Sequence, residues 1–137
     1  MYPVGMATWD DVRMLALALP ETTEGSDTSG LAKWMVRGKY FAWERPLRKR
    51  DIEELGDAVP TGPILGLRTA DLDDKRGLIG SNPQAFLTTS HFAEYPAVLV
   101  LLDEVEPDQL EEVITDAWLC RAPKRLAAEF LSPGAGG

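Results

Sequence analysis

Residues 31–50, LAKWMVRGKYFAWERPLRKR, hold two of the four tryptophans and half of the fourteen basic side chains. Their apolar residues fall in two short runs around a glycine, which reads as a β-hairpin with a cationic tail. A two-residue turn at Gly38 and Lys39, with glycine at the first central position as in a type II′ turn, has the twist that hairpins prefer. It pairs Arg37 with Tyr40, Val36 with Phe41, Met35 with Ala42, Trp34 with Trp43 and Lys33 with Glu44. Side chains alternate between faces, so this register puts Trp34, Val36, Phe41 and Trp43 on one face. A turn one residue earlier, at Arg37 and Gly38, sets Val36 against Lys39 and spoils that apolar face. Register follows the buried face, so the later turn is expected.

The rest of the chain alternates helical and extended patterns. Thr8 can cap a helix that opens with Asp10 and Asp11 and carries Trp9, Val12, Leu15, Ala16 and Leu19 at helical spacing before Pro20 stops it. ETTEGSDTSG at 21–30 is polar and unpatterned and reads as a loop. A short helix over Asp51–Leu55 closes at Gly56, and Ile64–Arg68 reads as a strand. Asp71–Ile79 returns to helical spacing as a crossover helix with Gly80 as its stop. Residues 85–92 alternate as a strand, and the continuous apolar run from Ala97 to Leu102 reads as a strand buried on both faces. Pro107 suits the first position of a long helix with the stripe Leu110, Val113, Ile114, Ala117 and Trp118. Pro123 ends it, and Lys124–Leu131 forms a last short helix. The expected core is Trp9, Val12, Leu15, Trp34, Val36, Phe41, Trp43, Leu99, Leu101, Val113, Ile114, Ala117 and Trp118.

These elements define an α+β class with one domain over residues 1–137 and a flexible tail from about residue 132. A composition 45% hydrophobic and 26% charged excludes a disordered chain. The longest apolar run falls far short of the roughly 18–20 residues of a membrane span, so no membrane partner is expected. MYPVGMATWDD lacks the basic start and apolar stretch of a signal peptide, which makes the cytoplasm the expected location. The lone Cys120 excludes an internal disulfide and any CxxC metal spacing, and its place near the edge of the apolar stripe reads as a small buried hydrophobe.

Three segments carry a family resemblance: ERPL at 44–47, FLTTSHFAEYPAVLVLL at 86–102 and AWLCRAPKRL at 117–126. They resemble the MmcQ/YjbR family, and the likeness runs from the first helix to the last. The resemblance implies a CyaY-like, double-wing fold in which a twisted antiparallel sheet packs against helices in two layers. Family members are often described as DNA-binding, and no catalytic residue is implied. The family pattern has Pro where this chain has Ser90 and Asp-Gly where it has Ala93-Glu94.

The net charge of −8 argues against polyanion binding in the mean, but the mean hides a split. Lys33, Arg37, Lys39, Arg45, Arg48, Lys49 and Arg50 stand against one acid, Glu44, within 33–50, whereas the remainder holds seven bases against 21 acids. Aromatic residues beside such cations are the composition that stacks and holds single-stranded nucleic acid. The plainer reading is a solvated loop at 48–50 balanced by Asp51, Glu53, Glu54 and Asp57. His91 is the only histidine and, with Tyr40, a candidate ligand or partner contact. No cofactor is expected, and no constellation for catalysis is present. Three readings remain open. One is a non-enzymatic module that binds nucleic acid at low affinity through the seven basic residues. Another is a protein or small-ligand interaction domain, and the third an acidic, frataxin-like cation binder.

Overall fold

The computed structural model describes residues 7–58, 60, 62–89 and 93–132. Helix α1 (Trp9–Leu17) begins at Thr8, whose hydroxyl accepts from the Asp11 N–H while the Asp11 carboxylate accepts from the Thr8 N–H, a reciprocal capping box. Strands β1 (Thr22–Ser26), β2 (Ala32–Val36) and β3 (Lys39–Glu44) follow as an antiparallel meander. After helix α2 (Lys49–Leu55) come strand β4 (Ile64–Arg68), helix α3 (Leu72–Ser81) and strands β5 (Phe86–Leu87) and β6 (Ala97–Leu101). Helices α4 (Pro107–Arg121) and α5 (Lys124–Leu131) complete the described chain.

All strand pairs are antiparallel, in the order β1-β2-β3-β4-β6-β5. Strand β6 lies between β4 and β5, so α3 does cross over it, as its position between two non-adjacent strands requires. Helices α1, α3 and α4 pack on the sheet around one apolar core, giving an α+β two-layer fold. The α4 stripe Leu110, Val113, Ile114, Ala117 and Trp118 is buried throughout, with Pro107 at the helix start. The Trp118 indole N–H donates to the Pro20 carbonyl at 3.1 Å, which ties the corner after α1 to α4. Ala97–Val100 are buried on both faces of the sheet.

The hairpin differs from the expected register. Arg37 and Gly38 are the turn residues, both with positive φ (52° and 83°), as a type I′ turn requires. Val36 faces Lys39 and Met35 faces Tyr40, and then a bulge at Phe41 brings Trp34 opposite Ala42 and Lys33 opposite Trp43. The bulge spends two consecutive residues, Phe41 and Ala42, on the buried face. The apolar face that the earlier turn spoils on paper is thereby restored one residue later. The cost falls on Trp43, which lands half-buried on the face opposite Trp34, against the expectation that they share one. Trp9, Leu15 and Leu101 are likewise half-buried rather than core.

Five further expectations change. The polar segment 21–30 contains strand β1, held from both sides: Glu24 receives the Arg13 guanidinium through two hydrogen bonds of 2.8 Å and the Trp34 indole N–H at 2.9 Å. Helix α2 starts two residues earlier than Asp51, and α3 runs past Gly80 to Ser81. The strand expected over 85–92 pairs only at Phe86 and Leu87; residues 90–92 lie outside the described residues. Cys120 is exposed rather than buried.

Candidate functional site

On the sheet face away from α4, Trp43 of β3 lies across Gly66, its register partner on β4. A side chain at position 66 would occupy the volume of the indole, so glycine there lets the ring lie on the sheet. The Tyr40 ring meets Trp43 edge-on, with centroids 5.3 Å apart, and the Lys33 ammonium stands over the Tyr40 ring at 5.7 Å. The bulge at Phe41 is what puts residues 40 and 43 on one face. Lys33, Tyr40, Trp43, Arg45, Arg48 and Tyr95 line an open cleft of about 380 Å³, with Asp27 and Glu44 also on its wall.

The floor beside this cleft is fixed by a buried ion pair. The Arg45 guanidinium donates to Asp51 at 3.3 Å and to the Pro46 carbonyl at 2.6 Å. Asp51 also accepts from the Arg48 N–H at 3.0 Å and so caps α2. The two side chains are 8% and 3% exposed, so the pair works out of water. Burial alone would raise the Asp51 carboxyl. The Arg48 N–H and the Arg45 guanidinium together outweigh that and hold it below its ordinary value. Asp27 is similarly occupied, accepting from the N–H groups of Ser29 (2.8 Å) and Leu31 (3.0 Å).

The structure thus sorts the seven basic candidates. Lys33, Arg45 and Arg48 converge on the cleft, with Arg45 committed to Asp51. Arg37 sits in the hairpin turn paired with Glu21, whose carboxyl that hydrogen bond holds below its ordinary value. Lys39 is exposed at the start of β3, and Lys49 and Arg50 are exposed on the first turn of α2. Tyr40 is on the cleft wall, 44% exposed. His91 lies outside the described residues. Sequence reasoning missed Trp43, which it assigned to the core, and Tyr95, to which it gave no role. The signal for Trp43 was the glycine at 66, legible only once the strands are paired. Among the described residues, no group of three or more His, Cys, Asp or Glu side chains is placed to hold a metal ion.

Fold and cleft define a small two-layer α+β domain with an open antiparallel sheet. The chain belongs to the YjbR family, whose model matches residues 17–120. That establishes the relationship first drawn from ERPL and the segments at 86–102 and 117–126. The chain is similar to an uncharacterised protein of Mycobacterium tuberculosis and to one of Mycobacterium bovis. Each is 48% identical over 130 residues, which cover 93% of this chain and 98% of the relative. The crystal structure of a Deinococcus radiodurans protein with a DUF419 domain shares the fold, with a TM-score of 0.66 over 99% of both chains at 20% identity. No helix in the described residues is long and apolar enough to cross a membrane.

Proposed function

We propose that this protein is a non-enzymatic binding domain whose sheet-face cleft takes single-stranded nucleic acid at low affinity. The observation that supports the reading is the convergence of two cations, Lys33 and Arg48, with the rings of Tyr40 and Trp43 around one cleft. Aromatic faces accept bases of any sequence and cations beside them neutralise the backbone, so this pairing binds single strands with little sequence preference. Lys49 and Arg50 extend the positive charge along α2. The acidic remainder of the chain keeps the affinity weak at physiological salt. The double-wing, CyaY-like description and DNA-binding association that the family resemblance implies, and action in the cytoplasm, belong to the same reading.

Asp27 and Glu44 on the same wall, with Arg37 and Arg45 already neutralised, favour a second reading: a small ligand or protein segment carrying both charges. Titration of a fluorescent single-stranded oligonucleotide at low ionic strength separates the two. Under the first reading, affinity falls with salt at a log–log slope of about 0.7 per neutralised phosphate, and changing Lys33 and Arg48 together to Ala flattens that slope. No binding by the wild type, or unchanged binding by the double variant, refutes the nucleic-acid reading and leaves the small-ligand one.

A further inference from the structure

On the other side of the sheet, α3 and α4 stand apart over the ends of β4 and β6 and enclose an open cavity of about 640 Å³. Its floor and walls are apolar: Leu67 and Val98 from the sheet, and Leu78, Val113 and Leu119 from the two helices. Its rim is acidic. Asp74 comes from α3 and Asp116 from α4, and among the described residues neither has an ion-pair partner, whereas the third carboxylate, Asp73, is matched by Arg76 at 2.6 Å. Arg68 lines the same rim, its guanidinium over the Tyr95 ring 5.5 Å from the centroid, so two unpaired carboxylates stand there against one cation.

We propose that this cavity is a second binding site, separate from the sheet-face cleft, for a small organic amine with an apolar body. The apolar floor selects the body and the unneutralised carboxylates at the mouth select a cation. The cation is an ammonium rather than a metal ion, because the rim carboxylates do not form a chelating group. Gly77 of α3 lines the cavity and is exposed, with nothing within 4 Å of where its side chain would begin, so a larger side chain there has room to reach in. Burial, together with the neighbouring charges of Glu112 and Asp74, raises the Asp116 carboxyl.

Cys120, the one cysteine of the chain and part of this lining, supplies the reporter. The experiment compares 4-phenylbutylamine with its uncharged and anionic counterparts, 4-phenylbutanol and 4-phenylbutyrate. It measures the rate at which N-ethylmaleimide modifies Cys120 and the amide NMR shifts of Gly77 and Cys120. The amine is expected to slow modification and shift both amides, with an affinity roughly twofold to fivefold above that of the alcohol, the gain a part-exposed ion pair supplies. The butyrate is expected to bind more weakly than either. Gly77→Leu, which fills the cavity, should abolish both effects. Asp116→Asn, which leaves the volume intact, should bring the amine down to the level of the alcohol. The proposal is overturned if the amine shifts neither amide, if all three compounds act alike on the wild type, or if Asp116→Asn keeps the preference for the amine.

Discussion

Gly66→Ala tests whether the indole of Trp43 is seated on the sheet by the missing side chain. The added methyl would stand 2.8 Å from Cζ2 of Trp43 and closer still to Cε2 and Nε1. Carbon atoms pack at about 3.5 Å or more. The ring cannot slide within the sheet plane without meeting Tyr40, 5.3 Å away edge-on, so it must lift off. Overpacking of this kind costs about 1–3 kcal/mol. The loss of glycine's freedom in the unfolded chain offsets about 0.4–1 kcal/mol of that. A net loss of about 1–2 kcal/mol follows, which moves the urea midpoint down by about 0.5–1 M for a slope near 2 kcal/mol/M. Urea unfolding followed by far-UV circular dichroism measures it, and fluorine NMR on fluorotryptophan-labelled protein shows whether the Trp43 resonance moves. In a Trp43→Ala background the same substitution should be neutral or stabilising. An alanine variant as stable as the wild type with an unmoved Trp43 resonance, or an equal loss in both backgrounds, would refute the reasoning.

Three further outcomes are expected. Asp51→Asn should cost about 3 kcal/mol by removing the carboxylate that balances the buried Arg45 charge. Because the folded Asp51 carboxyl lies below its ordinary 3.8, its stabilising contribution is complete above that value and is lost as pH falls through the folded one. The variant should therefore show a flatter acid limb when denaturation midpoints are measured between neutral and low pH. Trp118→Ala should cost about 3–5 kcal/mol, since the side chain is fully buried and also bonds Pro20; a loss below about 1 kcal/mol in chemical denaturation contradicts its place in the core. Arg37→Asn should leave the thermal midpoint equal or higher, because asparagine tolerates the positive φ at the hairpin turn better than arginine and the Glu21 pair it gives up is exposed.

What could be read in advance follows from what is local. The cap at Thr8, the proline start and apolar stripe of α4, and the bounds of β4 and α5 depend on neighbours a few residues away, and the sequence displays them. The hairpin register depended on unbroken alternation, and no residue announces the bulge at Phe41 that breaks it. Trp34, Val36 and Phe41 are buried together all the same, while Trp43, expected on the same face, lies on the other. Strand β1 was illegible because it is stabilised by Arg13 and Trp34, partners distant in sequence, and not by apolar residues of its own. For the candidate site, the stretch was visible but its sorting was not. Commitment of Arg45 to Asp51 and the side of the sheet taken by Trp43 both follow from tertiary geometry.

The placing of β1 at the rim of the sheet has a consequence for life among other protein molecules. An unpaired outer strand is a template on which a second chain can add, and such addition is the first step of aggregation. Here that template is TTEGS, five residues with no large apolar side chain, a glycine near its end and a carboxylate at its centre already gripped by Arg13. The opposite rim is β5, two residues long. A stray strand arriving at either rim finds little to bury, so the protein should stay dispersed at concentrations where a sheet bordered by β6 would recruit its neighbours.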